Sequence, residues 1–107
     1  MKPNKPIYSL VEIHKRLREG NALALEGNSE GDARNLGYTD EDICDCLFSL
    51  TEDNFSKTKE YPLGKGKSTR LDVYLITYTK ATGETDDLYI KLKFFGWVVV
   101  ASFHRQR

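Results

Sequence analysis

Six side chains able to move protons or hold anions recur at two-residue spacing in the second half of the chain. They are Lys57 and Lys59, then Tyr89, Lys91 and Lys93, and finally His104 near the end of a further apolar run. Arg70 and Arg105 stand close to these segments. Such a set carries what metal-free cleavage of RNA requires. The 2′-hydroxyl attacks the adjacent phosphate, so a base must take its proton and an acid must protonate the leaving 5′-oxygen. Cations must also stabilise the charge that develops on the phosphoryl oxygens. Tyr89 and His104 are the candidates for proton transfer, and Lys57 for contact with the scissile phosphate. Lys59, Arg70, Lys91, Lys93 and Arg105 are candidates for holding the RNA backbone. The same residues also fit a solvated strand face that carries lysine for solubility. Residue types alone leave both readings open.

Other chemistries find little support. No Ser/His/Asp or Cys/His set has a suitable local context, and no pair of acids stands out as a glycosidase dyad. No grouping of His, Cys and acids has metal-ligand spacing, so neither a metal nor another cofactor is expected. Gly66-Lys67-Ser68 resembles the tail of a phosphate-binding loop. That motif needs a glycine five residues before Gly66, where Tyr61 stands, and a helix after it, where a strand is expected. Cys44 and Cys46 are two apart on a predicted helix, which points them to nearly opposite sides, so they are read as unbridged thiols in a reducing compartment.

The elements that must position the six residues follow from alternation. Residues 86–107 read as two strands joined at Phe95-Gly96-Trp97. Leu88, Ile90, Leu92 and Phe94 point one way, and Tyr89, Lys91 and Lys93 the other. In the second strand the same rule puts Val99, Ala101 and Phe103 on the apolar face, with Ser102 and His104 opposite. Arg70 to Thr79 is a further strand, with Leu71, Val73 and Leu75 on one side and Asp72, Tyr74, Ile76 and Tyr78 on the other. Phe55 to Tyr61 is expected to be extended, with Phe55, Lys57, Lys59 and Tyr61 sharing a face. A basic, glycine-rich loop at 62–69 separates these two segments.

Ahead of the strands lie helices. Ser9 and Glu12 form a capping-box pattern, Leu10, Ile13, His14 and Leu17 make one stripe, and Gly20 stops the helix. His14, at the edge of that stripe, is read as structural. Residues 22–25 suggest a short strand and 32–36 a short helix ending at Gly37. Thr39 caps a better helix whose inner stripe is Ile43, Cys46, Leu47 and Leu50, widened by Phe48. Thr51 to Asn54 reads as a turn, and Met1 to Pro6 as a loose arm.

At 107 residues, 39% hydrophobic and 30% charged, the chain suits one globular domain spanning 1–107. There is no apolar run of membrane-spanning length and no secretory core, so a cytoplasmic protein without membrane contacts is expected. The net charge of zero conceals an asymmetry. Residues 1–55 hold six Lys/Arg against eleven Asp/Glu, whereas residues 56–107 hold ten against five. A basic C-terminal half fits contact with a polyanion.

Residues 50–57 read LTEDNFSK, 72–74 DVY, 88–91 LYIK and 98–103 VVVASF. In order and spacing these resemble the MqsR (motility quorum-sensing regulator) family of toxins from type II toxin–antitoxin systems, over roughly residues 7–104. The resemblance implies a RelE-like α+β fold, with N-terminal helices packed on one face of a curved antiparallel β-sheet. It implies a ribosome-independent mRNA endonuclease (an mRNA interferase) as the activity. It also implies an antitoxin encoded by a neighbouring gene, which blocks toxicity and represses the operon. The family's active-site lysine falls on Lys57, its tyrosine on Tyr89 and the lysine of the same strand on Lys91. Two positions depart from the family. The glutamine before D-V-Y is Leu71 here, preceded by Arg70, and the lysine after S-F is His104. The expectation is a metal-independent, sequence-selective endoribonuclease that takes mRNA as substrate. The alternative is a catalytically inactive RNA-binding or protein-interaction module of the same fold.

Overall fold

The structure, a computed structural model, describes residues 5–106. Three short helices precede a four-strand meander. They are α1 (Leu10–Arg18), α2 (Ser29–Asn35) and α3 (Asp40–Phe48), with a three-residue strand β1 (Leu23–Leu25) between the first two. The meander comprises β2 (Phe55–Gly64), β3 (Lys67–Thr79), β4 (Thr85–Phe94) and β5 (Val98–Arg105). All five strands form one sheet in the order β1-β5-β4-β3-β2, and the helices cover one of its faces. The fold is therefore α+β, as expected. The sheet is mixed because β1 pairs parallel to β5, while every other pairing is antiparallel.

Local chemistry sets the helix limits. Ser9 Oγ accepts a hydrogen bond from the Glu12 amide at 3.2 Å and Thr39 closes a reciprocal capping box with Asp42. Gly20 and Gly37 follow α1 and α2 at positive φ, where a side chain would be strained. Thr51 caps a single 3₁₀ turn (Glu52–Asn54) that leads into β2. Leu10, Ile13 and Leu17 of α1 join Ile43, Cys46 and Leu47 of α3 in the core. His14 donates from Nε2 to the Leu47 carbonyl at 2.8 Å and packs against Phe48, so it ties α1 to α3. Cys44 and Cys46 are free thiols, and burial pushes the Cys46 thiol up to about 12.

Two bulges correct the expected strand faces. Phe55 pairs with Tyr74 but Lys57 pairs with Val73, so Ser56 is an extra residue on β2. Phe55 therefore turns into the core, with its ring edge-on to Tyr74 at 5.8 Å, while Lys57, Lys59 and Tyr61 take the other face. On β5, Lys91 pairs with Ser102 and Leu92 with Val100, which leaves Ala101 as the extra residue. Val98 and Val100 consequently enter the core along with Phe103, in place of Val99 and Ala101. On β3 the core side is Tyr74 and Ile76, flanked by Asp72 and Tyr78. Leu71, Val73 and Leu75 lie on the opposite face.

Asp72 is fully buried, and its carboxylate accepts three hydrogen bonds: from the Ile7 amide at 3.1 Å, the Tyr8 amide at 2.9 Å and Thr58 Oγ1 at 2.7 Å. Tyr8 adds a bond from its hydroxyl to the Arg70 carbonyl at 2.8 Å. The chain is therefore fastened to β3 from Ile7 onward. Of the loose arm expected at 1–6, residues 1–4 lie outside the described residues.

Candidate active site on the open face of the sheet

The sheet face away from the helices carries the candidate chemistry. Two cross-strand rows define it. One runs Lys57–Val73–Lys91–Ser102 and the next runs Leu75–Tyr89–His104. The bulges at Ser56 and Ala101 bring Lys57 and His104 onto the same face as Tyr89. Strand spacing and rise put the Lys57 and Tyr89 Cα atoms about 12 Å apart, a gap that a lysine side chain and a bound nucleotide can span together.

Tyr89 and His104 stack face to face. Their ring centroids are 5.0 Å apart and their planes differ by 8°. His104 Nδ1 lies 2.7 Å from the Arg105 carbonyl oxygen. A carbonyl only accepts, so Nδ1 carries the proton and Nε2 is left to exchange one. The stack fixes the plane of the imidazole, the carbonyl fixes its tautomer, and both rings remain half-exposed.

The lysines differ in their surroundings. Lys91 donates to the Tyr61 hydroxyl at 2.7 Å, with its Nζ 4.8 Å from the centre of that ring. Lys91 pairs across the sheet with the buried Val73, and the bond to Tyr61 holds its ammonium in place. Lys93 sits at the far end, 3.8 Å from the Glu26 carboxylate, which offsets part of its charge. Lys57 is exposed and Lys59 half-buried, and neither makes an ion pair among the described residues.

Arg70 and Arg105 are not part of this face. Arg70 pairs with Glu60 in the register of Asp72, and so projects on the helix side. Arg105 pairs with Leu88, and its Nε donates at 3.1 Å to the buried Asp86, which also accepts from Tyr38 at 2.9 Å. Alternation would have separated both from the lysines: Arg70 differs in parity from Leu71 and Val73, and Arg105 follows His104 directly. Tyr61 was the residue missed as a site member, although its spacing from Lys57 and Lys59 was the available signal. Leu71 lies buried in the floor of the face. Among the described residues no three His, Cys, Asp or Glu side chains are grouped as metal ligands.

The molecule is thus a small α+β protein with a helix layer on one side of its sheet and, on the other, an open face carrying a tyrosine–histidine stack and a row of lysines. The chain belongs to the family described as the motility quorum-sensing regulator, toxin of MqsA, whose profile matches residues 5–105. It is thus a member of a toxin family that works opposite an antitoxin. No curated protein matches the chain significantly. No helix among the described residues is long and apolar enough to cross a membrane.

Proposed function

We propose that this toxin is a metal-independent, sequence-selective mRNA endonuclease whose active site is the open sheet face. The observation that carries the reading is the Tyr89–His104 stack with its fixed tautomer. His104 Nε2 takes the proton of the attacking 2′-hydroxyl, and the Tyr89 phenol donates toward the leaving 5′-oxygen. The products are a 2′,3′-cyclic phosphate and a 5′-hydroxyl. Lys57 contacts the scissile phosphate, and Lys91, Lys59 and Lys93 hold its neighbours. All the proton and charge handling then comes from side chains. In a dry, shaped site the lysines would stabilise the transition state. Here they act at a partly exposed surface, where solvent weakens their fields and Tyr61 orders Lys91. Arg70 and Arg105 take no part in this reading.

The test is cleavage of a long RNA in excess EDTA. Wild type should cut, and Tyr89→Phe, His104→Ala and Lys57→Ala should each lose about 10²- to 10⁴-fold, the range for one proton-transfer group. Cutting at the same rate by all three variants would sink the assignment. Salt-dependent binding with no cutting by wild type would leave an RNA-binding module instead.

A further inference from the structure

We infer that the β4–β5 tip, Phe95 and Trp97, is a stacking platform for an unpaired nucleobase of the RNA, upstream or downstream of the cleaved bond. This rests on the RNA reading above and extends its footprint. Phe95 is 61% exposed and Trp97 53% exposed, the largest aromatic surfaces left to solvent among the described residues. Neither is needed by the core. Phe95 follows directly on β4, two residues after Lys93 of the Tyr89–Lys91–Lys93 column, so this edge of the sheet has an aromatic ring at each end and two cations between.

The placement is specific. Lys93 Nζ lies 5.5 Å from the Phe95 ring centre, which puts that ring on the lysine side of the sheet. The Arg16 guanidinium lies 5.8 Å from the Trp97 ring centre. Arg16 Nε also donates to the Gly96 carbonyl at 3.0 Å, and one of its Nη atoms donates to the Gly20 carbonyl at 2.9 Å. The tip is therefore clamped to α1 and is preorganised rather than a loose hairpin end. Gly96 turns at φ +79°, a conformation that lets the two aromatics flank the turn in a three-residue connection. From Tyr89 to Phe95 the strand covers about 20 Å, room for a few nucleotides between the reacting bond and the platform. Cations beside exposed rings are what single-stranded nucleic acid recognises without base-specific hydrogen bonds: phosphate on the ammonium, base on the π-face.

Trp97 is the only tryptophan in the chain, so its fluorescence reports the tip directly. The probe is a 2′-O-methyl oligoribonucleotide about a dozen nucleotides long, which cannot be cleaved through its 2′-oxygen and fits the footprint of single-strand sites. Binding is followed by anisotropy of a labelled copy and, separately, by Trp97 emission. Expected are quenching of Trp97 in step with binding, and a roughly tenfold weaker affinity for Trp97→Ala, with Trp97→Phe retaining most of the affinity. The melting temperature of Trp97→Ala should match wild type, because the residue is not in the core. Tight binding with unquenched Trp97 and no loss in Trp97→Ala would overturn the platform while leaving the RNA reading intact. No binding by wild type would overturn both. Quenching by the antitoxin partner but not by RNA would assign the tip to protein contact and overturn the inference.

Discussion

Asp72 should act as a fastener and not as a catalyst, and Asp72→Ala puts this to measurement. The residue stands in the D-V-Y segment of β3, one position from the open face, where a carboxylate beside lysines could be mistaken for a general base. Instead it is fully buried on the helix side and accepts from two backbone amides and Thr58. A hydrogen bond to a charged group contributes about 1.5–3 kcal/mol. Three such bonds do not add fully, since they share one acceptor. Ile7 and Thr58 also reach water when released, which recovers part of the loss. The expected cost of Asp72→Ala is therefore about 3 kcal/mol, or a fall in melting temperature on the order of 15 °C. Thr58→Val, which removes one donor, should cost about 1 kcal/mol. Denaturant unfolding gives both values, and hydrogen exchange should show the Ile7 and Tyr8 amides opening early in Asp72→Ala. Cleavage by Asp72→Ala, measured well below its melting point, should stay within a few-fold of wild type. A cost under about 1 kcal/mol with unchanged Ile7 and Tyr8 exchange would refute the fastening argument. A thousandfold loss of cleavage in a folded variant would refute the structural assignment.

Three further outcomes follow from the same structure. Tyr61→Phe removes the oxygen that accepts from Lys91; RNA cleavage should fall by about tenfold, less than in Lys91→Met, with stability changed by under about 1 kcal/mol. Deleting Ser56 removes the β2 bulge and forces either Phe55 out of the core or Lys57 onto the helix side; a loss of about 3–5 kcal/mol in chemical denaturation is expected, whereas Ser56→Ala should be near neutral. Burial holds the Cys46 thiol above its ordinary value of 9.0, at about 12. A group whose folded value is raised contributes stability that is complete below its unfolded value and declines as pH rises through the window between the two. Stability should therefore fall between about pH 9 and 12, and less steeply in Cys46→Ala; the buried phenols of Tyr38 and Tyr74, both raised chiefly by burial, act in the same direction.

Much of the architecture was legible in the chain. Helix starts at Ser9 and Thr39 and stops at Gly20 and Gly37 are matters of local hydrogen bonding and φ, and local residues announce them. The apolar side of β4 follows from alternation, because that strand is regular. The faces of β2 and β5 were misread at Phe55, Val99 and Ala101, because one extra residue in each strand resets the parity. A bulge leaves no composition signal, since it is set by how one strand must bend to follow its neighbour. The exclusion of Arg70 and Arg105 from the open face was readable from parity, and proximity in sequence obscured it. The partner of Lys91 was not readable. Tyr61 is thirty residues away, and only the β2-β3-β4 pairing brings it within reach of the Lys91 ammonium.

By itself, then, the sequence determined which elements form, where α1 and α3 begin, and that one hairpin face would be polar; α2 starts earlier than expected, at Ser29, and β2 and β3 run through most of the expected 62–69 loop. Those properties depend on interactions within a few residues. The tertiary structure alone decided that Tyr89 and His104 stack, that Lys91 is held by Tyr61, that Asp72 ties down the N-terminal segment, and that Arg16 clamps an aromatic tip. Each of these depends on strand register and bulges, which distribute packing and hydrogen bonding over the whole sheet and cannot be satisfied one segment at a time.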